Sequence, residues 1–151
     1  MKIGVMGTDV FQQGKANLVD ERVRVLKQMF NSPKEVFIQV DIITDEAKLL
    51  EADGILAPAG AKLDLIVADM EFVETRLSRA ADEQEKALLP KFKEQLDKEG
   101  LLCEVALTDE EKKLAASYSI LSARPVFLAA PEALEDKNKV LQDAYAAFGF
   151  I

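Results

Sequence analysis

MKIGVMGTDVFQQGKANL, residues 1–18, governs the reading of the whole chain. Residues 2–6 form a short apolar run closed by Gly7, the pattern of a strand buried in the middle of a parallel sheet. The residues after it are polar and flanked by Gly7 and Gly14, which predicts a surface loop. From Asn17 to Phe30 the apolar residues Leu18, Val19, Val23, Leu26 and Phe30 recur at helical spacing. That helix is expected to end at Asn31-Ser32-Pro33, because proline forces the residue before it out of the α region.

Beyond this opening the same logic continues. Residues 35–43, EVFIQVDII, read as the clearest strand, β-branched and nearly continuous. Thr44 is expected to cap a short helix through Leu50, and Asp53-Gly54 to turn into a strand at residues 55–57. Residues 61–81 carry Leu63, Ile66, Val67, Met70, Val73 and Leu77 as one apolar stripe. A second amphipathic stretch, 82–98, begins at a capping box of Asp82 and Glu85, with Pro90 expected to kink it or to mark the true start of a shorter helix, and Gly100 to end it. Together they predict a helical hairpin over about 61–100. Thr108 and Glu111 predict another capping box and a helix through about Ser117. Residues 124–130, RPVFLAA, predict the last strand, and residues 133–148 the last helix. Strands alternating with helices argue for a parallel sheet with right-handed crossovers.

Composition narrows the chemistry. The 151 residues include 27 acidic and 19 basic side chains, for a net charge of −8, so direct nucleic-acid binding is not expected. Histidine is absent and Cys103 is the single cysteine, which removes the usual general base and the usual zinc ligands. No apolar run approaches membrane-spanning length and no signal peptide is read, so a cytoplasmic protein without membrane contact is expected. Asp9, Asp41, Asp45 and Asp53 fall near expected strand ends, where a carboxylate cluster could hold Mg²⁺ and where aspartates also serve as caps and turns. Residues 61–100 carry seven basic and ten acidic side chains, interspersed as on a solvated helical face. Phe72 lies off the apolar stripe, as an anchor for a partner or as packing within the hairpin. Cys103 reads as a small buried hydrophobe beside Leu101 and Leu102.

A strand, a glycine loop with Gly-Lys and a helix invite comparison with the phosphate-binding loop G-x-x-x-x-G-K-[ST]. Gly7, Gly14 and Lys15 are the candidate phosphate contacts. Here six residues separate Gly7 from Gly14 where the motif has four, and Ala16 replaces the hydroxyl residue that ligates magnesium.

The chain resembles the Obg-like ATPases, the YchF group of P-loop GTPase-fold proteins. That family opens MKIG-x-x-G, matched by Met1-Lys2-Ile3-Gly4 and Gly7. Its D-x-R-L helix, Pro-Lys turn and Asp-ended strand are matched by Asp20-Glu21-Arg22-Val23, Pro33-Lys34 and residues 36–41. ADGILAP, residues 52–58, and ILSARPV, residues 120–126, resemble later family strands. LDLIVADMEFVETRL, residues 63–77, is similar to its L-x-L-x-x-A-D-L-E-x-V-E-x-R-L hairpin. The departures fall on the chemistry. Lys15 to Asp20 is too short for the family's first helix, switch and second strand. Asp41-Ile42-Ile43-Thr44 lacks the glycine that meets the γ-phosphate, and Pro131 stands where the base-reading Asn would be. The chain also ends before a sixth strand and a C-terminal domain.

The family's sheet order is 2-3-1-4-5-6. The resemblance therefore implies a three-layer α/β, P-loop NTPase-like fold with a parallel sheet of about four strands, order 3-1-4-5. Residues 1–151 would form a single trimmed G-domain-like unit, with open edges along residues 36–41 and 126–130. The functional expectation is a non-catalytic pseudo-GTPase, not an enzyme, acting through a protein partner or as a homo-oligomer, with no cofactor and no metal. The alternative is a regulator that binds ATP or GTP with Mg²⁺, or phosphate, through Gly7, Gly14 and Lys15.

Overall fold

Ile3 and Val5 face one side of the first strand, β1 (Lys2–Val5), and Gly4 faces the other. That alternation sets two packed layers around the sheet. The computed structural model describes residues 1–149. Its five strands are β1, β2 (Gly14–Leu18), β3 (Ile38–Ile43), β4 (Gly54–Pro58) and β5 (Val126–Ala129). They lie in the order β2-β3-β1-β4-β5, all parallel except β2, which runs antiparallel to β3.

Helix α1 (Glu21–Met29) links β2 to β3, and a 3₁₀ turn (Glu46–Glu51) links β3 to β4. The hairpin follows as α2 (Lys62–Leu77) and α3 (Glu83–Asp97), then α4 (Asp109–Ala116), β5 and α5 (Lys137–Ala147). On one face Val140, Leu141 and Ala144 of α5 pack on Ile3, Val5, Val40 and Ile42. On the other, Leu65 of α2 packs on Ala57, while Leu49 and Ala52 meet Ile43 and Ile55. Gly54 lets Phe148 approach: a Cβ there would lie 2.7 Å from its ring. Among the described residues no helix is long and apolar enough to cross a membrane.

The α/β class, the hairpin and the Thr108–Glu111 capping box match the sequence expectation, with both arms of the box formed. The expected parallel order 3-1-4-5 is present as β3-β1-β4-β5, and one further strand joins it at an edge. Gly14–Leu18, expected as loop and helix, is a fifth strand, because Ala16 and Leu18 turn to the sheet face under α5 while Lys15 and Asn17 alternate outward. The sheet's edges are therefore β2 and β5, and β3 is interior. Asp45, not Thr44, caps the 3₁₀ turn, and Glu99, not Gly100, takes the left-handed conformation that ends α3 (φ 56°). Pro90 sits inside α3 without ending it. In α2 the buried face is Leu65, Ile66, Asp69 and Val73, so Leu63 (54% exposed) and Val67 (65%) point to solvent.

Candidate functional site

An open parallel sheet binds ligands beyond the carboxyl ends of its strands. Here the loop after β1 and the turn after β3 enclose a hollow of about 480 Å³, lined by Gly7, Thr8, Asp9, Thr44 and Glu46 among others. Gly7 holds a left-handed φ of 73°, and a Cβ on it would come within 2.9 Å of Ala61. The lining carries two carboxylates and no basic side chain.

Gly14 and Lys15 do not line this hollow. Both belong to β2, where Gly14 pairs with Ile42 and Lys15 stands opposite Asp41. A phosphate loop works by handing its strand directly to a helix, whose first N–H groups and positive dipole end face the anion. In this chain the loop hands β1 to an antiparallel strand, so that helix end is missing from the place where the motif needs it.

Two of the four aspartates near the strand ends, Asp45 and Asp53, are engaged locally. Asp53 accepts the backbone N–H of Lys2 at 2.7 Å, and Asp45 accepts that of Ala47 at 3.1 Å. Among the described residues no group of three or more potential metal ligands comes together. Phe72 is half-buried, its ring 5.7 Å from that of Tyr118, so it packs within the hairpin region instead of standing out as an anchor. Cys103 is exposed, contrary to the buried reading; desolvation raises its thiol above the ordinary value, which opposes thiolate chemistry.

A polar network that sequence reasoning did not single out joins the segments on which the resemblance rests. Asp69 on α2, 2% exposed, accepts the N–H of Leu121 at 3.1 Å and of Ser122 at 2.9 Å. Burial pushes its carboxyl above the usual range, against the pull of those donors and of Arg124. Arg124 donates to the carbonyls of Ala52 (3.1 Å), Ile120 (2.9 Å) and Leu50, locking the entry of β4 to that of β5. Across the hairpin Arg76 donates to Glu85 at 2.6 Å, and the Tyr118 hydroxyl donates to the same carboxylate at 3.0 Å. The one clue in the sequence was position: Asp69 lies four residues from both Leu65 and Val73, on a buried stripe.

No protein-family model matches the chain. It is similar to the "Ribosome-binding ATPase YchF" of Bacillus subtilis (strain 168), with 31% identity over 111 residues, covering 61% of this chain and 30% of that protein. The chain thus spans under a third of that relative's length. The similarity supports a distant relationship to the P-loop GTPases.

Proposed function

We propose that this chain is a non-catalytic relative of the P-loop GTPases that works by contact with other proteins. The observation that carries the reading is the antiparallel strand after the β1 loop. It leaves Lys15 opposite Asp41 and leaves the hollow at the strand ends faced by Asp9 and Glu46. A triphosphate entering there meets like charge, and Ala16 supplies no hydroxyl for magnesium. These features weigh against a magnesium-bound nucleotide in the hollow. The residues shared with the GTPase pattern, Asp69, Arg76 and Arg124, serve to hold the scaffold together. The relative is named for binding the ribosome. For a chain of net charge −8 an RNA surface is electrostatically opposed, whereas a protein surface is not.

Calorimetry with ATP, GTP, ADP and GDP in the presence of magnesium tests this, and no heat of binding at micromolar affinity is expected. Micromolar binding of any of the four overturns it. A second reading, a nucleotide- or phosphate-responsive regulator, draws on the left-handed Gly7 and the hollow beside it. It requires thermal stabilisation by nucleotide that Lys15→Ala abolishes.

A further inference from the structure

Helix α1 has nine residues and none of them is buried. A helix this short does not hold in water by itself and ordinarily takes its stability from an apolar face packed on something. Here Val25 and Leu26 are half exposed, Met29 is 72% exposed, and Phe30, the residue that caps the helix, is 76% exposed. We propose that α1 and the entry to β3 at residues 36–38 form the interface of a two-fold homodimer. This rests on the reading above that the chain works by protein contact, and it names the partner as a second copy.

Shape is the first argument. Beside α1 lies a mainly apolar hollow of about 340 Å³, lined by Leu18, Val23, Val36, Ile38 and Ala146 among others, with Asp20, Arg22 and Asp143 also in its wall. Val23, Leu26 and Phe30 fall at i, i+3 and i+7, so one helical stripe runs from this hollow out to the projecting Phe30. A two-fold contact uses the same patch on both chains, so it needs a projection and a recess side by side. This face has both.

Charge supplies the second. Residues 20–35 carry four basic and three acidic side chains in a chain of net −8, so the remainder carries −9. The long-range repulsion between two anionic copies is therefore weakest where this nearly neutral patch faces its own counterpart. Its charges are largely paired within the chain: Arg22 with Asp20, Arg24 with Glu21 and Lys27 with Glu35. Docking therefore buries apolar surface without stranding those ions.

Area agrees. The chain exposes 9243 Å², whereas a folded monomer of this mass exposes roughly 7,600 Å². The surplus belongs to the chain as a whole and leaves room for the roughly 800 Å² that each partner gives up in a standard interface.

Sedimentation over a micromolar concentration series tests the proposal. The chain should reach twice its monomer mass, and Phe30→Asp should weaken self-association by about thirtyfold or more, as loss of an interface anchor does. Because Phe30 is exposed in the single chain, its variant should keep the helical circular dichroism. Val67→Asp, on exposed α2, should leave the dimer intact. Should Phe30→Asp misfold, hydrogen exchange decides: amides of Glu21–Met29 should slow as the concentration of the unaltered chain rises. A chain monomeric at every concentration overturns the proposal, as does a dimer that survives Phe30→Asp and Met29→Asp together. A monomer that binds no nucleotide would remove the dimer alone. Nucleotide binding would remove the non-catalytic reading and leave the dimer to the sedimentation result.

Discussion

At the scale of single residues, two buried polar groups carry measurable consequences. The two oxygens of Asp69 each accept one backbone N–H, from Leu121 and Ser122. In Asp69→Asn an amide NH₂ replaces one acceptor, so a buried N–H is left facing another donor. That should cost about 1–3 kcal/mol, or several degrees of melting temperature at roughly 2–4 °C per kcal/mol. An unchanged melting curve would show that α2 does not depend on this carboxylate. Tyr118 offers a pH test. Burial first, then its hydrogen bond to Glu85, raises the phenol from 10.0 to about 12. The folded value is the higher one, so the contribution is fully present below pH 10 and is lost as pH climbs toward 12. At most about 3 kcal/mol, reduced by solvent screening, should disappear across that window. Tyr118→Phe should flatten this alkaline limb in urea titrations, and an equally steep limb in that variant would reassign it to other groups.

At the scale of elements, β2 shows what holds a weak edge strand. Just past its end the Val19 N–H donates to Asn138 Oδ1 at 2.9 Å, and Asn138 Nδ2 donates back to the Val19 carbonyl at 2.8 Å. The side-chain amide on α5 thus stands in for a neighbouring strand at that residue. Asn138→Ala should speed hydrogen exchange in Gly14–Leu18 by about tenfold, the effect of losing bonds together worth about 1.4 kcal/mol locally, while the β1 amides keep their protection. Equal protection of β2 in the variant would mean that its pairing with β3 suffices. This clamp also explains why β2 was illegible in the sequence. GKANL offers two apolar residues at alternate positions, too few for a period of two, and its partners lie far along the chain. β1, β4 and β5 were legible because buried parallel strands are apolar runs closed by glycine or proline. α2 was legible as a helix but not in its facing: LDLIVADM is apolar nearly all round, and the sheet decides which side is covered. In the candidate site, Gly7 lies where the sequence put it. Gly14 and Lys15 do not, because a polar stretch before a helical period reads alike whether the chain enters a helix or crosses the sheet first.

For the molecule as a whole, the decisive quantity is a net charge of −8 on a chain whose α1 face is apolar and nearly charge-balanced. Two mechanisms of self-association through α1 predict opposite salt dependences. If Arg22, Arg24 and Lys27 dock on acidic surface of a second copy, the attraction is Coulombic and salt weakens it. If Phe30 and Met29 enter the partner's apolar hollow, the contact is hydrophobic and the long-range term is repulsion between two anionic bodies. Raising ionic strength from about 0.01 M to about 0.1 M shortens the screening length from about 30 Å to about 10 Å, which removes most of that repulsion while leaving apolar burial untouched. The internal pairing of the α1 charges selects the second case. The dimer should therefore tighten severalfold over that interval, with Phe30→Asp monomeric at both ends. A dissociation constant that rises with salt would place the basic side chains at the centre of the contact and the apolar stripe at its margin.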